Sequence, residues 1–374
     1  MASVCKANPC GDTRQLNRLA PTRKPDDKTK LMIRAKRTSL ASLVVLLGHV
    51  IYAEAQPPEL DIKANDIAFN AQTGMLYASV PSAAGITYGN RLIEIAVPNA
   101  SITRSVFVGS EPGPIGMSPD AAVAYVGLNG AAAVRPVDLT TMAAGTQFSL
   151  GNSQSNGANY AADIKVMPGS PNTIAISLRN NCCSPSFEGV IVYDGGVARP
   201  TVDQTVFGST SIAFGSLPSI LYGYDNEDTS FTLNRMSIDA SGVTNVGSAS
   251  GVISGFNVTI VTDGDTIFAT NGAAVDGTNF GLLGTYSFSP SSNYANAVVV
   301  DNVSSSVILA QPNALYVFDR DTYLPVNTIA IPAALGAAPR AATGCGPACV
   351  AVAYNSNQIF IVQDVREIFA NGFE

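Results

Sequence analysis

Short apolar runs, each followed by turn residues, recur along the chain from about residue 60 to its end. DIAFN from Asp66, IGMSP from Ile115, DIKVMPG from Asp163, SIAFGS from Ser211, NVTIVTDG from Asn257, AVVVDN from Ala297 and RAATG from Arg340 open seven units, spaced in the forties. A second run follows each opening: MLYASV from Met75, VAYVGL from Val123, TIAISL from Thr173, ILYGY from Ile220, TIFAT from Thr266, SVILA from Ser306 and CVAVAY from Cys349. Third runs include LIEIAV from Leu92, VIVYD from Val190, LYVFD from Leu315 and IFIVQDV from Ile359. Val, Ile, Thr, Tyr and Phe set between Gly, Pro, Asn, Asp and Ser are strand residues between turn residues. The early runs of each unit are almost continuously apolar, as strands covered on both faces must be. Later runs alternate, as half-exposed strands do.

Three or four short strands per unit, repeated seven times, predict an all-β chain folded as a seven-bladed β-propeller. Six or eight blades, or two β-sandwich domains, are the alternatives. The last unit stops after three strands near Val365, while Leu60-Asp61-Ile62 precedes the first unit. An N-terminal strand joining the last blade would close the ring and remove the open edges on which sheets aggregate.

The segment before the repeats has a different pattern. Arg34, Lys36 and Arg37 precede an apolar run from Leu40 to Tyr52, then Ala53-Glu54-Ala55 and Gln56. A basic region, an apolar core and an A-x-A site in that order predict a signal peptide over 32–55, cleaved after Ala55, and a secreted or periplasmic protein. The run is shorter than the ~20 residues that span a bilayer, which argues against the alternative of a membrane anchor, and no stable membrane insertion is expected. Residues 1–31 are polar and read as a disordered leader, or as sequence upstream of a true start at Met32. The propeller is expected over 56–367, with a C-terminal tail over 368–374, IFANGFE from Ile368. That tail resembles short IF-x-x-GFE ends on otherwise unrelated exported bacterial proteins.

LYASV, AYVGLN, LYGYDN and IFATNG stand where one repeat family carries a Tyr-Val-Thr-Asn segment, and LYVFDRDT from Leu315 stands where it has an apolar strand ending in Asp and Thr. Over roughly residues 60–365 the chain thus resembles the YVTN-type repeat of secreted bacterial seven-bladed propellers, which are related to lactonase-like propellers. The resemblance implies the fold and says little of function, because propellers host many activities.

Charge changes the picture next. Residues 56–374 carry eleven Lys and Arg against twenty-four Asp and Glu. A surface that acidic repels phosphate backbones, so nucleic acid is not an expected partner. His49, the only histidine, lies in the export signal. The mature chain therefore has no imidazole for Ser-His-Asp or Cys-His catalysis. No Gly-rich phosphate loop leads from a strand into a helix. Carboxylate pairs remain for glycosidic chemistry, but aromatics are 7% and Trp is absent, which leaves little for stacking a sugar. No catalytic residue, cofactor or metal is assigned.

Four cysteines follow the cleavage site. Cys345 and Cys349 bracket a turn, and a cross-hairpin disulfide between them is expected. Cys182 and Cys183 are adjacent; they can bond to each other, bond another chain, or remain free. Asp225-Asn226-Glu227-Asp228 is the densest acidic cluster, with Asp263/Asp265 and Asp319/Asp321 as lesser pairs. The spacing matches no calcium loop, and Asp and Asn are ordinary turn residues.

Loop length points to a face. Turns from second to third strands are short at Asn129-Gly130, Gln311–Asn313 and Asn355–Asn357, and long at Pro81–Asn90, Arg179–Gly189 and Asn271–Gly281. Long loops on a rigid ring form recognition surfaces. The expected ligand-binding residues are Cys182, Cys183, Phe187, Glu227, Asp228, Asp276, Asn279 and Phe280, over the third to fifth units. The leading functional expectation is a monomeric binding or scaffold protein for a protein or glycan partner. The alternatives are an enzyme with a carboxylate or metal site at the channel mouth, lactonase-like or glycan-acting, and a surface-layer or adhesion protein.

Overall fold

The computed structural model describes residues 56–204, 208–288 and 295–366. The export signal with its cleavage after Ala55, the start at Met32 and the tail over 368–374 lie outside the described residues. Within them the chain forms seven antiparallel sheets. The first runs 66–70, 75–80, 91–96 and 101–107; the fourth runs 211–214, 220–224, 232–239 and 242–250; the sixth runs 297–301, 306–311, 314–319 and 325–330. In the second sheet the outer strand is broken into Ala143–Ala144 and Phe148–Ser149. Each sheet is a blade, with its first strand at the central channel and its fourth at the rim.

Ring closure is as the two chain ends imply. Glu59–Asp61 pairs with Gln358–Val362, Leu60 opposite Ile359, and so supplies the fourth strand of the last blade. The Ile361 N–H donates to the Pro58 carbonyl at 2.9 Å. Ile62 is buried with Ile359 and Ile361.

The burial pattern follows position in the blade. Thr173–Arg179, Ser306–Gln311 and Val350–Tyr354 are buried almost throughout, because a neighbouring blade covers each face. The rim strand Gly242–Ser250 alternates. The core therefore consists of clusters between successive blades. Tyr77 and Leu92 of the first blade, for example, pack with Val126 and Val137 of the second.

First strands begin earlier than the hydrophobic pattern implies in three blades, at Pro112, Tyr160 and Pro339. Each has a register shift near its start: between Pro112 and Ile115, between Ala161 and Asp163, and between Pro339 and Ala341. The apolar run becomes regular only after this bulge, so pattern alone places the start too late. Bulges bend a strand and redirect its side chains.

The fifth blade differs more. Its third strand, Ala273–Asp276, lies inside the stretch expected to be a long loop. Asn271-Gly272 is a tight turn: the Gly272 N–H donates to the Ala269 carbonyl at 2.9 Å, and Gly272 has φ +88°. A Cβ there would stand 2.4 Å from the Tyr286 carbonyl oxygen, so the turn requires glycine. A four-residue strand of small side chains, bounded by Gly on both sides, gives too weak a period to distinguish from a loop.

Polar groups join the blades. Asp66 accepts hydrogen bonds from the Ile115 N–H at 2.8 Å, Asp163 from the Ile212 N–H at 3.0 Å, and Ser211 Oγ from the Ile260 N–H at 3.1 Å. In each pair one inner strand satisfies an edge donor of the next. Nearer the rim, the Tyr125 hydroxyl donates to the Pro171 carbonyl, and the Tyr222 hydroxyl to Asp265.

One ionic contact lies within the first blade and reaches the second. Glu94 accepts from the Tyr77 hydroxyl at 2.7 Å, Thr103 Oγ1 at 2.7 Å and Arg104 Nε at 2.8 Å. Arg104 also donates to the Leu139 and Thr140 carbonyls of the next blade, both at 3.0 Å. Burial pushes the Glu94 carboxyl up, but its bonds from Arg104, Thr103 and Tyr77 outweigh that and bring it down to about 2. A depressed folded pKa stabilises above the unfolded value, and this stability disappears as the pH falls from about 4.5 towards about 2. Glu94→Gln should lower stability at pH 7 by about 1–3 kcal/mol, the contribution of hydrogen bonds to a charged group, since Arg104 is partly exposed and keeps the Leu139 and Thr140 carbonyls. It should also flatten the fall in stability across that acid window, as read from urea midpoints at several pH values.

Cys345 and Cys349 are bonded, with Cα atoms 5.0 Å apart, across the turn between the first two strands of the last blade. A loop this small restricts the unfolded chain by about 2 kcal/mol. Replacing both cysteines by Ala should lower the unfolding free energy by about 2 kcal/mol, read as a lower urea midpoint.

Candidate functional site

Antiparallel strands place the turns between second and third strands on one end of the ring, together with the links between blades. Turns joining first to second and third to fourth strands lie on the other end. Arg179 ends the second strand of the third blade and Phe187 begins its third, so the loop of 180–186 lies on the first of these faces. Asp225–Phe231 occupies the same position in the fourth blade, between Ile220–Tyr224 and Thr232–Asp239.

These two loops are built to hold each other. Asn180 organises the first: its Oδ1 accepts from the Cys182 and Cys183 N–H groups at 3.0 and 2.8 Å. Its Nδ2 donates to the Ser186 carbonyl at 3.0 Å and to Glu188 at 2.8 Å. Cys182 and Cys183 are bonded to each other, which selects one of the three states open to them, and both are exposed. In the second loop, Asp225 Oδ1 accepts from the Glu227 and Asp228 N–H groups at 3.0 and 3.3 Å, and Oδ2 accepts from Ser230 Oγ at 2.9 Å. Glu227 then reaches across to the third blade. It accepts from the Ser186 N–H at 2.6 Å, the Ser186 hydroxyl at 2.5 Å and the Phe187 N–H at 3.2 Å.

Between the loops lies a cleft of about 310 Å³, walled by Pro185, Phe187, Glu188, Asp225, Glu227 and Asp228, with Ser153–Ser155 at one side. Burial raises the Asp225 carboxyl above its usual value, while at the half-buried Asp228 the hydrogen bonds from Ser230 outweigh burial and hold the carboxyl below it. Glu188 is also held low, since its bonds from Asn156, Ser153 and Asn180 outweigh burial. None of the four carboxylates belongs to a salt bridge among the described residues. The cleft is therefore acidic, with one aromatic wall.

Asp276, Asn279 and Phe280 do not join this group. They fall on the turn between the third and fourth strands of the fifth blade, at the other end of the ring. There Asp276 accepts from the Thr278 N–H and hydroxyl and from Asn279 Nδ2, and so acts as a turn residue. The structure thus brings together Cys182, Cys183, Phe187, Glu227 and Asp228, and corrects the loop assignment for the other three. Asp265 holds Ser216 and Tyr222 of the preceding blade, and Asp263 pairs with Arg320. Asp319 caps its own turn and meets Arg366.

A second polar region lies at the channel, where the sequence suggested a site as an alternative but assigned no residues. The central channel, about 400 Å³ of open volume, is lined by the inner strands of all seven blades and includes Asp66, Asp163, Lys165, Arg179 and Arg340. Burial pushes the Asp66 carboxyl up to about 6, against the pull of the Ile115 N–H, Lys165 and the Ile67 N–H. Burial opposes the Lys165 charge as well, but the Asp163 carboxylate 2.7 Å away more than restores it, and the ammonium stays protonated. The signal for Lys165 was present in the run DIKVMPG, where Asp163 and a cation two residues on interrupt an apolar inner strand.

No family model matches the chain, and no curated protein matches it in sequence. Among solved structures, Kuenenia stuttgartiensis hydrazine synthase is similar with a TM-score of 0.62 at 13% identity, over 86% of this chain and 100% of that one. Identity that low establishes a shared fold and nothing about chemistry. This chain is a seven-bladed β-propeller.

If Glu227 joins the two loops, Glu227→Ala should speed hydrogen exchange at the Ser186 and Phe187 amides by about tenfold or more, since a bond to a charged group contributes about 1.5–3 kcal/mol. The Val190 and Val192 amides, inside the sheet, should stay protected in the same experiment.

Proposed function

We propose that this protein is a secreted binding propeller, acting as a monomer, that captures a partner protein through a basic segment laid in the cleft between the third and fourth blades. The observation carrying this reading is the set of four carboxylates, Glu188, Asp225, Glu227 and Asp228, lining one cleft with no salt bridge to any of them among the described residues. Lys or Arg of a partner would supply the missing charge, and the Phe187 ring would supply apolar and cation–π contact. A rigid ring presenting two mutually bonded loops suits recognition, since little ordering is needed on binding.

The two bonded cysteine pairs suit an oxidising compartment and fit the signal peptide read in the sequence. No helix among the described residues is long and apolar enough to cross a membrane. The second-strand segments LYASV and IFATNG support placing the chain beside the YVTN-type propellers.

Fluorescence anisotropy with a labelled Lys- and Arg-rich peptide tests the reading. The native protein should bind it, with affinity falling steeply as salt rises. Asp228→Asn combined with Glu188→Gln should weaken binding at least tenfold. Equal binding by this variant would exclude the cleft, and retention of a neutral oligosaccharide in place of the peptide would reassign the partner to glycan.

A further inference from the structure

We infer that the central channel is a second binding site, taking a small organic dianion of the dicarboxylate type at the mouth on the loop-bearing face. The first ground is the distribution of charge. Of the eleven cations in residues 56–374, Lys165, Arg179 and Arg340 line this one channel, while only Asp66 and Asp163 of the twenty-four carboxylates do. An acidic chain has gathered positive charge where field lines are concentrated by low-dielectric walls.

The two carboxylates are already occupied. Asp66 accepts from the Ile67 and Ile115 N–H groups, and Asp163 from the Ile212 N–H and Lys165. Neither Arg179 nor Arg340 forms a salt bridge among the described residues. Arg179 is nonetheless fixed in place. It donates to Asn129 Oδ1 of the second blade at 3.0 Å and to Asn181, and its guanidinium lies 5.6 Å from the centre of the Tyr160 ring. Those hydrogen-bond partners are neutral, so the guanidinium is oriented, and Glu227 acts on its charge only through space, without a salt bridge.

The second ground is backbone geometry. Arg340 is the extra residue of the bulge between Pro339 and Ala341, facing no partner residue on the adjacent strand. Ala162 holds the same place in the third blade's bulge, and Gly113 and Pro114 lie in that of the second. All four line the channel. Three blades thus depart from regular pairing at one level of the channel, which is where bulges turn side chains towards a site.

The third and seventh blades are separated by the first and second, so Arg179 and Arg340 approach the mouth from different sides. One small molecule meeting both needs an anionic group at each end. A volume of about 400 Å³ is in the range of small-ligand pockets.

Titration calorimetry with succinate at fixed ionic strength tests this. The native protein should bind succinate at a single site, and glucose should give no heat. Arg340→Gln should weaken succinate at least tenfold, whereas Arg91→Gln, away from the channel, should match the native protein. The cleft substitutions Asp228→Asn and Glu188→Gln together should leave succinate binding unchanged, which separates this site from the peptide site. Absence of succinate binding, or undiminished binding by Arg340→Gln, would overturn the proposal. Sulfate binding as tightly as succinate would overturn its two-ended form.

Discussion

The inner edge of each blade sets the central problem of this fold. A strand at the edge of a sheet carries unpaired N–H and C=O groups, and seven such edges face one channel. Where the preceding blade offers a side-chain acceptor, that liability becomes a joint. Asp66, Asp163 and Ser211 each take an inner-strand N–H from the following blade. The same bonds fix the angle between neighbouring sheets and so bring apolar faces such as Tyr77 and Val126 into register. The acidic groups needed for this lie inside the channel, and their charge must be offset there. Lys165, on the same strand as Asp163, does that directly.

Architecture was legible because a propeller repeats its hydrophobic pattern. Second strands such as Met75–Val80 and Val123–Leu128 match the apolar runs residue for residue, since burial on both faces dictates their composition. Inner strands were less legible where a bulge interrupts them, because Gly113, Pro114, Ala162 and Arg340 break the period without ending the strand. Ala273–Asp276 was hidden for the opposite reason, having too few residues to show a period at all.

The candidate site was half visible. A long loop at 180–186 and an acidic one at 225–231 could be recognised from length and composition. That Glu227 of one would bond the backbone of the other could not, because nothing in either segment records that they are neighbours. The grouping of Arg179 with Arg340 was hidden in the same way. It depends on how the ring closes, and the residues are more than 150 positions apart.

Closure also has a temporal side. The strand that completes the seventh blade is the earliest one in the described chain, and Glu59 meets Gln358 across a separation of 299 residues. Contacts this distant form late, after the intervening chain has paid its loop entropy. A polypeptide emerging from its start would hold Glu59–Asp61 unpaired while six blades assembled beside it. The last hairpin would then arrive to find its edge partner waiting, which makes the pairing of Leu60 with Ile359 a final latch and the step most exposed to intermolecular error.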